Sequence, residues 1–274
     1  MIEHVPAGDS QYGYAYPLSP TGKASLLSPP PWHFSGLVAL AEYVLDPEQI
    51  QPFLPPGAVA TAAGPNAAAV FSRWQCTAAD GVDLARPSSS SFTEFQILLA
   101  CSYQGQEYAR CPFAWVDSAV SMARGWIQGM PKKIGDVAMT HELGIGKASP
   151  RREASDTYYG SAAADHRHVA HLEVSLTRAA TRLPVLFERP MLHSLVHSPW
   201  LPGEQRRTEL VSSVVEDVAF DDVWSGAAAF ELGDAIPDLG LLRPLEIGDG
   251  FVFSYGETLS GGRSIADSGV NRKG

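Results

Sequence analysis

From Ser91 to Ser102 the chain reads Ser-Phe-Thr-Glu-Phe-Gln-Ile-Leu-Leu-Ala-Cys-Ser, with strand alternation and apolar residues on both faces. A strand of this kind has to be covered on both sides, so the sheet that holds it needs a layer of structure above and below. Other segments read as strands too: Trp32 to Leu45, Ala67 to Cys76, Tyr108 to Trp115, Tyr158 to Ala164, His168 to Thr177, Val211 to Phe220, Ala227 to Leu232 and Phe251 to Leu259. Tyr103-Gln-Gly-Gln-Glu107 has the turn chemistry of a hairpin. Only two helices are expected. One starts at Asp46 as N-cap with Pro47 in the first turn and stops near Leu54-Pro55-Pro56-Gly57. The other runs from Asp117, as its cap, to Arg124.

Short strands punctuated by 25 glycines and 21 prolines imply an α+β domain that is mostly antiparallel β. A single domain is expected over 32–262, after an extended arm at 1–31 that ends in Ser28-Pro-Pro-Pro31 and before a flexible tail at 263–274. Tyr12, Tyr14 and Tyr16 of the arm are candidates to dock on the domain or on a neighbouring subunit. The 45% hydrophobic content is ample for a core. A net charge of −10 argues against nucleic acid or an anionic membrane surface as partner. No apolar run is long enough to span a bilayer, and the N-terminus lacks the order of a secretory signal. Cys76, Cys101 and Cys111 have no metal-type spacing and read as buried thiols of a cytoplasmic protein.

Arg124-Gly-Trp-Ile-Gln-Gly-Met-Pro-Lys-Lys-Ile-Gly135 carries the chemistry. Lys132 and Lys133 stand side by side among apolar residues and glycines. Pro-Lys-Lys is either a solvated turn or a place where an ammonium loses hydration, which disfavours its charged form. A neutral lysine attacks carbonyl compounds and forms Schiff bases. Glu94 lies mid-strand among apolar neighbours, where a charged carboxylate needs a partner. It is either a proton carrier at an imine or a solvent-facing strand residue. Gln128, four residues before Lys132, reaches the same site if the turn is tightly wound, and is otherwise a surface residue. Tyr255 offers a phenol to a cavity or packs in the core.

The histidines His166, His168, His171, His193 and His197 lack cysteine partners and a His-Glu-x-x-His pattern, so no metal site is expected. No Gly-x-Ser-x-Gly is present, and Gly144-Ile-Gly146-Lys147 is too short for a phosphate loop.

Pro-Lys-Lys behind Gly-Trp-Ile-Gln-Gly resembles the acetoacetate decarboxylase-like superfamily. Further landmarks agree in order: Pro30-Pro-Trp-His33, Trp74-Gln75, Phe92-Thr-Glu94, Asp117, and Asp222-Val-Trp-Ser-Gly226 before Ala-Phe-Glu-Leu232. The similarity spans about residues 30–260. It implies antiparallel sheets curled into a cone-like barrel around an enclosed apolar cavity, and a homo-oligomer. By matching position Lys132 forms the imine, Lys133 tunes its basicity and Glu94 is the active-site glutamate; decarboxylases of this family are the standard example of a lysine activated in this way. Phe92, Trp126, Met130 and Tyr255 are expected to line the substrate site.

One departure bears on the reaction. The arginine that the decarboxylases carry soon after the first aromatic motif is missing from Trp32-His-Phe-Ser-Gly-Leu37, and their Gly-Arg-Glu is replaced by Arg124-Gly125-Trp126. Gln128 instead resembles the branch that performs aldol, dehydration or cyclisation chemistry on 2-oxo acids. The expected activity is therefore a cofactor-independent lyase acting on a small oxo acid, with aldolase–dehydratase chemistry preferred. Decarboxylation of a 3-oxo acid and non-catalytic binding of an apolar ligand are the alternatives.

Overall fold

The computed structural model describes residues 12–267. The strands are β1 (Trp32–Val44), β2 (Ala58–Ala60), β3 (Ala67–Ala78), β4 (Ser91–Tyr103), β5 (Gln106–Val116), β6 (Lys132–Ile134), β7 (Asp136–Met139), β8 (Thr157–Ala164), β9 (Arg167–Ala179), β10 (Leu192–His197), β11 (Arg207–Leu232) and β12 (Glu246–Asp267). The helices are α1 (Pro47–Ile50), α2 (Pro87–Ser90), α3 (Ala119–Gln128) and α4 (Val185–Glu188). All strands belong to one sheet in the order β6-β5-β4-β3-β1-β12-β11-β9-β8-β7, with β10 on β11 and β2 on β4. Pairing is antiparallel except between β5 and β6, where α3 makes the crossover that a parallel pair needs. The α+β, mostly antiparallel expectation matches this architecture.

The sheet curls tightly. Phe95 of β4 and Phe230 of β11 lie four strands apart in the ladder, yet their rings approach to 6.4 Å. One face of the curl is filled by Tyr43, Phe71, Phe95, Trp115, Tyr158 and Phe230. Alanines at 39, 41, 67 and 69 leave room for these rings. The ladder of hydrogen bonds does not close on itself: β6 and β7 are its two end strands, separated in sequence only by Gly135. The expected closed cone is therefore corrected: the sheet has two free ends, the inner side of its curl is packed with side chains, and Lys132 faces a pocket on the other side.

That second face explains why β4 reads as apolar on both sides. Phe95, Ile97 and Leu99 point into the curl, whereas Phe92 and Leu98 join a separate cluster with Trp32, Val38, Trp74, Val116 and Phe253. Met122 of α3 and Leu186 and Phe187 of α4 cover this cluster.

Several elements differ from expectation. Asp46 does cap α1, in a capping box with Gln49. The cap of α3 is Ser118, whose hydroxyl accepts from the Ser121 N–H; Asp117 instead accepts from the Thr93 N–H at 2.8 Å, tying the loop to β4. Val211–Phe220 and Ala227–Leu232 are parts of one long β11, which appeared as two strands because its register against β12 shifts repeatedly and Asp217 and Asp222 take positive φ. The last strand extends to Asp267, so residues 263–267 of the expected tail are strand; 268–274 lie outside the described residues. Of the arm, residues 1–11 also lie outside them. Tyr14 docks edge-on against Trp32 at 6.1 Å, whereas Tyr16 is exposed. Cys76, Cys101 and Cys111 are free and buried. No described helix is long and apolar enough to cross a membrane.

Candidate active site

Lys132 begins β6, in register with Ala114 of β5, which in turn faces Gln96 of β4. Its side chain crosses the small Ala114 and the backbone of α3. There Gly125 leaves the space: a Cβ at 125 would lie 2.5 Å from Lys132 Cδ. The turn that delivers the lysine is fixed by Gly129, which ends α3 with φ 83° while the Met130 N–H donates to the Gly125 carbonyl. The Trp126 indole N–H donates to the Lys132 carbonyl at 2.8 Å.

Lys132 is 6% exposed. Its Nζ stands 3.1 Å from Glu94 Oε1 and 3.3 Å from Oε2, donates to the latter, and donates to Ser121 Oγ at 3.2 Å. The nearer oxygen is poorly aligned and has no hydrogen bond of its own. The ammonium also lies 5.2 Å from the centre of the Phe92 ring, a cation–π distance.

These groups border a pocket of about 500 Å³ lined by Glu94, Gln96, Gln128, Met130, Lys132 and Tyr255, among others. Trp74, Phe187, Phe220 and Leu259 contribute apolar wall. Tyr255 donates to Glu257 Oε2 at 3.0 Å. Burial pushes the Glu257 carboxyl above the usual range; the tyrosine hydrogen bond opposes this and the charge of Glu94 adds to it. The Tyr255 phenol is pushed up as well, first by burial and then by Glu257. His193 lines the same pocket, with Nε2 3.3 Å from Ser213 Oγ. Burial, then the positive charges of Arg110 and Lys132, lower it to about 3, so it stays neutral.

Of the residues singled out in the sequence, Lys132, Glu94, Gln128, Met130 and Tyr255 converge on the pocket; Phe92 lies against the Lys132 ammonium but is not part of the lining. Two others stand apart. Trp126 is 58% exposed and serves the lysine through its backbone instead of lining the pocket. Lys133 is exposed, and adjacent strand residues point to opposite faces, so its ammonium does not face the one beside it. Ser121, Glu257, Gln96 and His193 were not singled out as active-site residues. Glu257 and Gln96 were findable, since each lies two residues along a strand from a candidate and so shares its face. Ser121 and His193 carry no such signal. Among the described residues no group of three or more His, Cys, Asp or Glu is placed to hold a metal ion.

An amine, two carboxyl groups and a phenol on the wall of an apolar pocket can move protons around a carbonyl carbon. The chain resembles the enduracididine biosynthesis enzyme MppR complexed with the condensation product of pyruvate and imidazole 4-carboxaldehyde, at 44% identity and TM-score 0.91, over 95% of this chain and 99% of that one. It resembles the same enzyme complexed with pyruvate at 43% identity and TM-score 0.90, over 95% and 100%. An acetoacetate decarboxylase-like enzyme from Sphingomonas wittichii RW1 aligns at 26% identity and TM-score 0.85, over 93% and 100%. A search of curated proteins gives no match. The model of the acetoacetate decarboxylase family matches residues 15–268, and the chain belongs to that family.

Proposed function

We propose that the protein is a Schiff-base-forming lyase that acts on a small oxo acid through Lys132, with aldolase–dehydratase chemistry. The observation that carries this reading is the buried Lys132 ammonium held 3.1 Å from Glu94 at the wall of a pocket. Similarity to an enzyme captured with pyruvate and with its condensation product supports the substrate class.

Glu94 takes a proton from Nζ, and the freed amine adds to the ketone carbon. Glu94 returns that proton to the carbinolamine oxygen, which leaves as water and gives an iminium with Glu94 ionised again. Loss of a proton from the neighbouring carbon, again to Glu94, makes an enamine that can attack an aldehyde. Glu257, whose carboxyl burial pushes above its ordinary value, lines the same pocket and gives the proton with which the new β-hydroxyl departs. Gln128 orients the substrate by hydrogen bonds. Hydrolysis of the imine returns the lysine. Each positioned acid or base contributes about two to four powers of ten in rate.

Incubation with pyruvate and borohydride, followed by intact-mass measurement, tests the reading. The expected result is one reductively attached pyruvate on the wild type and none on Lys132→Ala. A wild type without adduct, or an adduct that survives the substitution, contradicts it. Carbon dioxide release from acetoacetate would move the assignment to the decarboxylase alternative.

A further inference from the structure

A 2-oxo acid brings a carboxylate next to the carbon that Lys132 attacks, and the pocket has to supply donors to receive it. The Lys132 ammonium is engaged by Glu94, and Arg189, the other cation in the lining, pairs with Glu107 through Nη2 at 3.0 Å while its Nε and Nη1 are buried without a partner. Beside the lysine itself the strand register brings a neutral donor.

Gln96 has the required position. It follows Glu94 by two residues on the same face of β4, roughly 7 Å along the strand. It also sits in the same cross-strand row as Lys132, with only Ala114 between them. It lines the pocket, its Oε1 is buried without a partner, and among the described residues its amide nitrogen makes no hydrogen bond. An amide nitrogen on a pocket wall with no partner of its own is a donor open to a ligand. Two neighbouring hydroxyls are already engaged, since Tyr255 donates to Glu257 and Ser121 accepts from Lys132, and Gln128 is the other amide of the lining.

We infer that Gln96 binds the substrate carboxylate through its side-chain amide and sets the preference for oxo acids over simple ketones. This rests on the oxo-acid reading above and names the residue that enforces it. The amide N–H groups donate to the carboxylate, and no bond is made or broken.

The test separates recognition from imine formation. Oxamate has the shape and charge of pyruvate but does not form an imine. Its binding to wild type, Gln96→Leu and Gln96→Glu is followed by ligand-observed NMR, with thermal melts to confirm folding. Borohydride trapping of pyruvate and of acetone is measured on the same proteins. The expected result is oxamate binding weakened about tenfold in Gln96→Leu and further in Gln96→Glu, where a second charge repels the anion. The preference for pyruvate over acetone in trapping falls by a similar factor. Equal oxamate binding by all three folded proteins, or equal losses for pyruvate and acetone, overturns the inference. A wild type that binds oxamate through Gln96 yet traps neither carbonyl overturns the imine proposal alone.

Discussion

Lys132 and Gly125 are fitted to each other: a single methyl group on residue 125 would come within 3.0 Å of Cγ, Cδ and Cε of the lysine. The Lys132 amine reaches Glu94 only because the helix it crosses is bare at that point. Gly125→Ala is expected to cost imine formation about 100-fold, the scale of an ångström-sized misplacement of a reacting group. Stability moves little, because alanine is favoured over glycine in a helix by about 1 kcal/mol and offsets part of the crowding. Trapping yields set beside melting temperatures check this. Equal loss of both would show that the glycine serves folding and not the amine.

The Lys132–Glu94 pair has almost no contact with water on either side. Removing one partner leaves the other buried and unpaired, at about 3–5 kcal/mol. Lys132→Met and Glu94→Gln each destabilise, the former strongly. The double variant is expected to recover much of the loss, because no uncompensated charge remains. Urea unfolding of the four proteins of the cycle gives the coupling. Turnover is abolished in both proteins that lack Lys132. It falls by two to four powers of ten in Glu94→Gln, by about the factor a lost acid–base group commands.

Trp126 acts from outside the pocket. Its indole N–H holds the Lys132 carbonyl, so Trp126→Phe keeps most of the ring and deletes the bond. The expected cost is about 1 kcal/mol in unfolding free energy. A fall in kcat with little change in KM is also expected, since the substitution loosens the lysine and leaves the pocket lining intact. A change confined to KM would place the ring in contact with substrate.

Glu42 gives the fold a pH dependence independent of the site. Burial, reinforced by the charge of Asp249, raises its carboxyl from 4.5 to about 7. The folded state thus binds this proton more tightly than the unfolded state. The resulting stability is complete below about 4.5 and is lost as pH rises through about 7. Glu42→Gln is expected to remove that slope in urea unfolding measured across the interval. His193 has the opposite sign: lowered to about 3, it contributes stability above 6.5 that is lost as pH falls toward 3. The Glu42 effect is therefore the difference between wild type and variant at each pH, with the histidine common to both.

The two-sided burial of β4 was legible because its alternation is long and uninterrupted, and that alternation already placed Glu94 on a defined face. That Glu94 belongs with Lys132 was legible in part, from a mid-strand carboxylate that needs a partner and from the matching positions of the family resemblance; their direct pairing was not, because apolar surroundings imply a lysine that loses its charge to burial. What lay beyond reach has physical causes. β6 and β7 hold three and four residues, too few to show a period. Gln128 and Lys132 meet through a helix end, a left-handed glycine and a strand, and not through one helical turn. The pairing of two lysines in sequence implied mutual repulsion, but a strand sends neighbours to opposite sides. His193 arrives on β10 through its register with β11, which no local pattern records.

The seam at Gly135 has a consequence for when the molecule becomes competent. Glu94 sits well inside the ladder, whereas the amine rides on its terminal rung, laid beside β5 only after α3 has doubled back. A chain with every interior strand paired but that tripeptide unseated would hold a nearly complete core with Lys132 out of reach of Glu94. On the proposed mechanism, damage confined to that edge would then silence the protein while leaving most of the sheet in place.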